Sequence, residues 1–330
     1  NAGNQDQSAN SIAIGRIAGY QNQNIYSIAM GFEAGYQNQN RYSIAIGSSA
    51  GYSDQSHESI AMGFEAGYQN QNKYSIAIGD GAGYTNQNQY SIAIGFIAGQ
   101  TNQSANSIAI GFEAGQTNQN LNSIAIGSQA GNQDQSNYSI AIGPNAGQTG
   151  QNQYSIAMGF EAGQNNQNQN SIAIGHKAGQ TSLGQNSIAI GQNTVNQFNT
   201  SVALGAGATT TANNQIILGT ASETVFIPGN LSVNGPINTT SDIRLKENIK
   251  DLDNSLEKIC NIRGVNYNLK SDENKTKTSG VIAQEVLEHI PEAVNNMDSE
   301  KLSVNYNSII AHLIESVKEL KREIEELKNK

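Results

Sequence analysis

A five-residue motif, Ser-Ile-Ala-Ile/Met-Gly, begins at residue 11 and returns every sixteen residues as far as residue 187, twelve times without a break. Two looser copies follow at a spacing of fourteen, Ser201-Val202-Ala203-Leu204-Gly205 and Gln215-Ile216-Ile217-Leu218-Gly219. A short fixed period means that each unit contacts its sequence neighbours and little else, so the chain folds as a stack of coils. The regular repeat ends near residue 219. Disorder, the first suspicion raised by so many Asn and Gln residues, does not space its Ile residues at a fixed interval.

In one unit, Ser59-Ile60-Ala61-Met62-Gly63-Phe64-Glu65-Ala66-Gly67-Tyr68-Gln69-Asn70-Gln71-Asn72-Lys73-Tyr74, the first five residues alternate large apolar with small. Period two means a strand. This reading turns Ile60 and Met62 into the coil and leaves Ser59, Ala61 and Gly63 on a flat outer face that invites contact with another chain. Glycines at the fifth and ninth positions sit where a narrow coil must turn. The unit therefore reads strand, turn, short strand, turn. Stacked in register, the Asn-Gln-Asn runs form hydrogen-bonded amide ladders. Tyr20, Tyr36, Tyr52, Tyr68 and Tyr84 form one aromatic row, and Tyr26, Tyr42, Tyr74, Tyr90, Tyr138 and Tyr154 a second. The alternative use of these polar and aromatic stripes is to bind a ligand such as a sugar. Two Ile per coil bury too little apolar area to offset the ordering of sixteen residues, which points to a homo-oligomer.

Composition excludes several classes. With 37% hydrophobic residues, 14% charged residues and no Trp, the chain is poor material for one large globular core. A net charge of −9 and repeats holding only Arg16, Arg41, Lys73 and Lys177 as cations argue against nucleic-acid binding. A lone Cys260 and four scattered histidines, His57, His176, His289 and His312, indicate no disulfide, metal site or other cofactor. No apolar run is long enough to span a membrane. The first residue, Asn1, is not Met, so the expectation is a fragment or processed form.

The Ser-Ile-Ala-Ile-Gly-x-x-Ala-Gly core resembles the head repeat of trimeric autotransporter adhesins. That resemblance implies a left-handed parallel β-roll, three of which pack around one axis. The family's commoner unit is nearer fourteen residues, so the sixteen-residue period implies a longer turn. Fourteen coils at about 4.8 Å each make a shaft on the order of 65 Å long.

Residues 220–240 lose the repeat, and two short apolar strands are expected there, around Pro228-Gly229 and Asn234-Gly235 turns. This neck resembles the closing strands of phage tail fibres. From Ser241 the composition changes, with residues 241–330 holding 14 of the 18 Lys/Arg and 17 of the 27 Asp/Glu. A separate domain begins there. The segment Ser241-Asp242-Ile243-Arg244-Leu245-Lys246-Glu247-Asn248-Ile249 resembles the start of the intramolecular chaperone autoprocessing domain found behind phage tail spikes, endosialidases and some tail fibres. Gly280-Val281-Ile282-Ala283-Gln284-Glu285-Val286, Pro291-Glu292-Ala293-Val294, Val304-Asn305-Tyr306 and a terminal helix follow in that family's order.

The resemblance implies a small α+β domain that trimerises, templates folding of the shaft and then releases itself through a serine/lysine dyad. Mapped here, Ser241 is the nucleophile and Lys246 its general base, with the cut expected between Ser241 and Asp242 or on the other side of Ser241. A lysine can serve as a base if burial or a cationic neighbour, for which Arg244 is the candidate, favours its neutral form. The spacing alone also fits an exposed Ser-Asp helix cap beside a solvated lysine. Tyr306, Ile310, Leu313, Val317, Leu320, Ile324 and Leu327 follow heptad spacing, so 306–330 reads as a coiled coil; the alternative is an amphipathic helix packed on its own domain.

The expectation is a mainly β, homotrimeric β-solenoid of 16-residue coils (1–219), a neck (220–240) and a chaperone domain (241–330). It corresponds to a virion tail-fibre protein whose roll meets a host receptor or glycan. The alternative is a bacterial cell-surface adhesin with a permanent trimerisation domain, against which stands the lack of strands for a membrane barrel. Turnover hydrolysis would need paired carboxylates, and Glu33, Glu65, Glu113 and Glu161 read as parts of the repeat.

Overall fold

The computed structural model of the protein describes residues 2–228, 230–296 and 301–329. The chain divides into two compact units, Asn1–Asn230 and Leu231–Lys330.

The first unit is a parallel β-solenoid. Fourteen three-residue strands, from Ile12–Ile14 to Ile216–Leu218, form one parallel sheet in sequence order. Register advances by sixteen residues per coil, as in Ile108↔Ile124, until Ile188↔Val202 and Val202↔Ile216 shorten it to fourteen. Both periods match the motif spacing. On the facing wall, Gln69–Gln71, Thr85–Gln87, Thr101–Gln103, Thr117–Gln119 and Gln133–Gln135 make a second parallel sheet, reduced to single bridges in the coils beyond them. Thus strand, turn, short strand, turn describes the coil.

The strand faces are the reverse of the sequence expectation. Ala61, Ala77, Ala93 and their equivalents from Ala29 to Ala203 are fully buried, as are Ser59, Ser75 and Ser91, whereas the flanking Ile and Met side chains are partly exposed, Ile12, Ile14, Met30, Met62 and Met158 among the most open. The interior explains the inversion. From Gln23 to Gln167 the coils fill their lumen with Ser and Ala of the strand, the second Ala (Ala66, Ala82, Ala98) and one fully buried Gln. That lumen is too narrow for two Ile side chains, so close packing selects the small residues and turns the branched ones outward.

Two glycine positions fit this lumen. Gly95 has φ +129°, and a Cβ there would lie 2.5 Å from the carbonyl oxygen of Gly111 in the next coil. Gly99 has φ +52°, and its Cβ would lie 2.8 Å from Gln103 Oε1 and 3.2 Å from Ala93 Cβ. Both positions exclude a side chain twice over, by backbone angle and by space.

The buried glutamines form the interior ladder. Gln87 Nε2 donates to Ile76 O at 2.6 Å and to Gln103 Oε1 at 3.2 Å, and the pattern recurs in neighbouring coils. An outer ladder runs from Asn70 through Asn86, Asn102 and Asn118 to Asp134. Tyr20, Tyr36, Tyr52, Tyr68 and Tyr84 stack with centroids 4.8–5.1 Å apart. Leu183 replaces Gln at the last sixteen-residue coil, and Asn196 takes over the lumen as the coils shorten, donating to Ile188 O and Ser201 O.

After Leu218 no regular element forms among the described residues until Ile243, so the two neck strands are not formed in the single chain. Val225, Phe226, Ile227, Leu231, Val233 and Ile237 are all exposed, so this segment is packed on no apolar surface of its own chain. Asn234 and Gly235 form a bend, and the Pro228-Gly229 turn lies outside the described residues because of Gly229.

The second unit is small and α+β. Helices α1 (Ser255–Cys260), α2 (Ala283–His289) and α3 (Tyr306–Lys328) are joined by two antiparallel pairs, Val265–Tyr267 with Thr278–Gly280 and Val294–Asn296 with Leu302–Val304. Its core is Val286, Ile290, Ala293 and Ile309, flanked by Ile259, Ile262, Val281, Val294 and Val304.

Candidate functional site

The residues singled out at the start of the second unit form a local constellation. Asp242 caps a single 3₁₀ turn, Ile243–Leu245, its Oδ1 accepting from Arg244 N at 2.9 Å. The turn reverses the chain within a few residues. It thereby brings Lys246 back on Ser241: Lys246 Nζ donates to Ser241 Oγ at 2.8 Å. The side chains expected to act together are thus in hydrogen-bond contact.

Arg244, the cationic neighbour considered for Lys246, is held by Asp242. Its guanidinium grips the Asp242 carboxylate, with Nε 3.0 Å from Oδ1 and Nη2 2.5 Å from Oδ2. These hydrogen bonds hold the Asp242 carboxyl below its usual range. The whole turn is open to solvent, with Ile243 71% and Leu245 74% exposed.

The later motif residues build the support of this domain. Gly280 ends a strand where a Cβ would lie 2.9 Å from Tyr306 Oη, so its lack of a side chain lets the first turn of α3 approach. Gln284 and Glu285 lie in α2, and Glu285 pairs with Arg263. The Pro291–Ala293 segment is a second 3₁₀ turn leading into a strand.

Helix α3 carries two separate faces. The heptad stripe is open, with Tyr306, Ile310, Leu313, Val317, Leu320, Ile324 and Leu327 between 43% and 70% exposed, so it is not the face that packs on its own domain. That face is Ile309, His312 and Ser316, all buried. His312 Nδ1 lies 3.0 Å from Ser255 Oγ and its Nε2 3.1 Å from Glu292 Oε1, while Glu319 accepts from Ser255 N and Leu256 N at the start of α1. Sequence reasoning missed this network. The signal was a second three-four spacing, 309, 312, 316, 319, masked because three of its four members are polar. Ser255 has no access to solvent, so the arrangement braces helices and offers no reactive hydroxyl.

Comparison with known proteins divides along the same lines. Residues 241–295 match the family described as chaperone of endosialidase, peptidase S74. Residues 167–194 match the YadA head domain repeat in two copies. The chain is 35% identical over 113 residues to long tail fiber protein Gp37 of Enterobacteria phage M1, covering 32% of this chain and 45% of that protein. With Gp37 of Enterobacteria phage Ox2 it shares 34% identity over 113 residues and the same coverage. Against Gp37 of Enterobacteria phage K3, 35% identity over 107 residues covers 30% of this chain and 9% of that protein. The chain thus spans less than half the length of these relatives. No helix among the described residues is long and apolar enough to cross a membrane.

Proposed function

We propose that this chain is part of a phage tail fibre in the virion, that three copies assemble through their rolls and α3 helices, and that residues 241–330 direct this assembly and are then released by self-cleavage. Likeness to long tail fiber proteins and to the chaperone of endosialidase supports the fibre role and the chaperone. The observation that carries the cleavage is the 2.8 Å contact of Lys246 Nζ with Ser241 Oγ. Self-association is supported by two unpartnered apolar surfaces, the Ile/Met stripe of the roll and the heptad stripe of α3. Contiguous exposed apolar surface of this kind marks a site of interaction. A host-surface receptor or glycan is the partner proposed for the shaft.

In the reaction, once other copies cover the turn that is open in the single chain, Lys246 acts as general base and takes the Ser241 hydroxyl proton, and the oxygen attacks a peptide carbonyl. The C–N bond breaks, the proton passes from Lys246 to the leaving amine, and water hydrolyses the resulting ester. Cleavage is proposed at Ser241–Asp242. Ser241 Oγ closing on its own carbonyl would make a four-membered ring, so this cut uses the equivalent hydroxyl of a neighbouring copy or a water activated by the dyad. Attack on the Thr240 carbonyl passes through a five-membered ring and cuts one residue earlier. The first residue of the released piece, Asp242 or Ser241, tells the two apart.

Removal of the chaperone has a physical use. Parallel pairings at long sequence separation fold slowly and expose strand edges meanwhile, which a domain that aligns three chain ends suppresses. Once it leaves, the shaft loses its route back through reversible unfolding and becomes kinetically trapped. The test is expression of residues 1–240 beside the full chain. The full chain should yield a soluble trimeric shaft and the truncated one aggregate; equal yields of trimer from both would remove the chaperone role.

A further inference from the structure

Among the described residues, one hydrogen bond joins residues 231–240 to the rest of the second unit: Asn307 Nδ2 donates to Thr239 Oγ1 at 3.4 Å. Thr239 lies two residues before Ser241, in a stretch without regular structure. Its anchorage therefore limits where the reacting hydroxyl and the adjacent carbonyls can sit. Asn307 belongs to the first turn of α3, which is itself well held. Asn305 Oδ1 accepts from Asn307 N at 3.0 Å, Asn305 N donates to Ala293 O at 2.8 Å, and Tyr306 packs over Gly280.

The geometry points to Asn307 as a positioning residue that ties the segment to be cut to the first turn of α3, so that cleavage reaches full rate only once that turn has formed and docked. This rests on the self-cleavage reading above. Asn307 touches neither Ser241 nor Lys246; it acts through Thr239. The tether makes cleavage report on the state of α3, the helix whose open heptad stripe awaits other copies, and so orders release after assembly.

The test follows the rate of cleavage of the full chain by intact mass, with native mass and thermal unfolding beside it. Asn307→Ala and Thr239→Val each remove one end of the bond and should cut between about threefold and tenfold more slowly, at unchanged native mass and melting temperature. Thr239→Ser keeps the hydroxyl and should cut at the parental rate. The Asn307→Ala/Thr239→Val double variant should be no slower than the slower single one, because both remove the same contact. Single variants that cut as fast as the parent, or slowing that multiplies in the double variant, overturn the tether. Thr239→Val decides the matter if Asn307→Ala alters the native mass, since it leaves α3 untouched. A parent that stays whole overturns the self-cleavage reading and the tether with it, whereas a cutting parent beside equally fast single variants removes the tether alone.

Discussion

Glycine at the fifth position of the coil is the residue on which the stack depends most. Gly95→Ala should cost about 1–3 kcal/mol from backbone angle alone, and more from the 2.5 Å approach to Gly111 O. Gly81→Ala, which meets only the Ile97 side chain at 3.0 Å, should cost less. Amide hydrogen exchange in the flanking coils checks both. In the second unit, carboxylates carry the sensitivity to acid. Hydrogen bonds from Leu256 and Ser255 hold Glu319 below its ordinary carboxyl value, and the Arg263 side chain does the same for Glu285. A lowered folded-state pKa gives stability that is present above the ordinary value near 4.5 and lost as pH falls through the folded one. Unfolding of this unit should therefore set in below about pH 4.5, and Glu319→Gln should lower its melting temperature at pH 7 while flattening that acid limb. The Ser241 and Lys246 pair was legible because a motif of specific order surrounds it. The Arg244 grip on Asp242 was not, because which of two neighbouring groups a guanidinium pairs with is decided by a single turn's geometry.

At the scale of the element, the sixteen-residue interval foretold the coil, its register and its shortening to fourteen after Ile188. It did not tell which strand face turns inward. Alternation is symmetric in that respect: Ile-Ala-Ile reads equally well with Ile inside a wide coil or Ala inside a narrow one, and only lumen width decides. A pair of substitutions separates the two. Ala109→Leu overfills the lumen and should cost about 1–3 kcal/mol of coil stability or more, whereas Ile108→Ser should leave the coil folded and weaken association between chains. Analytical ultracentrifugation beside thermal unfolding reads both effects. The buried Gln row makes a related case. Gln103→Leu, with the precedent of Leu183, loses donors to Ile92 O and Ser107 O but fills the space, and should destabilise less than Gln103→Ala, which also opens a cavity. In α3 the apolar heptad stripe stood out because its seven members keep one spacing from Tyr306 to Leu327. The inner face hid its function in polar residues whose partners, Ser255 and Glu292, lie 57 and 20 positions away.

At the scale of the whole molecule, a chain with an Ala-, Ser- and Gln-filled lumen keeps its branched residues for the outside. Those side chains and the heptad stripe along α3 are apolar surfaces left open in the single chain. Under the proposed assembly the shaft buries this surface only between copies, which gives the assembly domain and its release, both proposed above, their use. Self-cleavage after assembly is read from the intact mass of the freshly folded chain beside Ser241→Ala and Lys246→Ala. The parent should split at Ser241 into a shaft and a piece of about ninety residues, while both variants stay whole and keep the trimeric native mass. A parent that stays uncut after folding, or variants that split as the parent does, would contradict it.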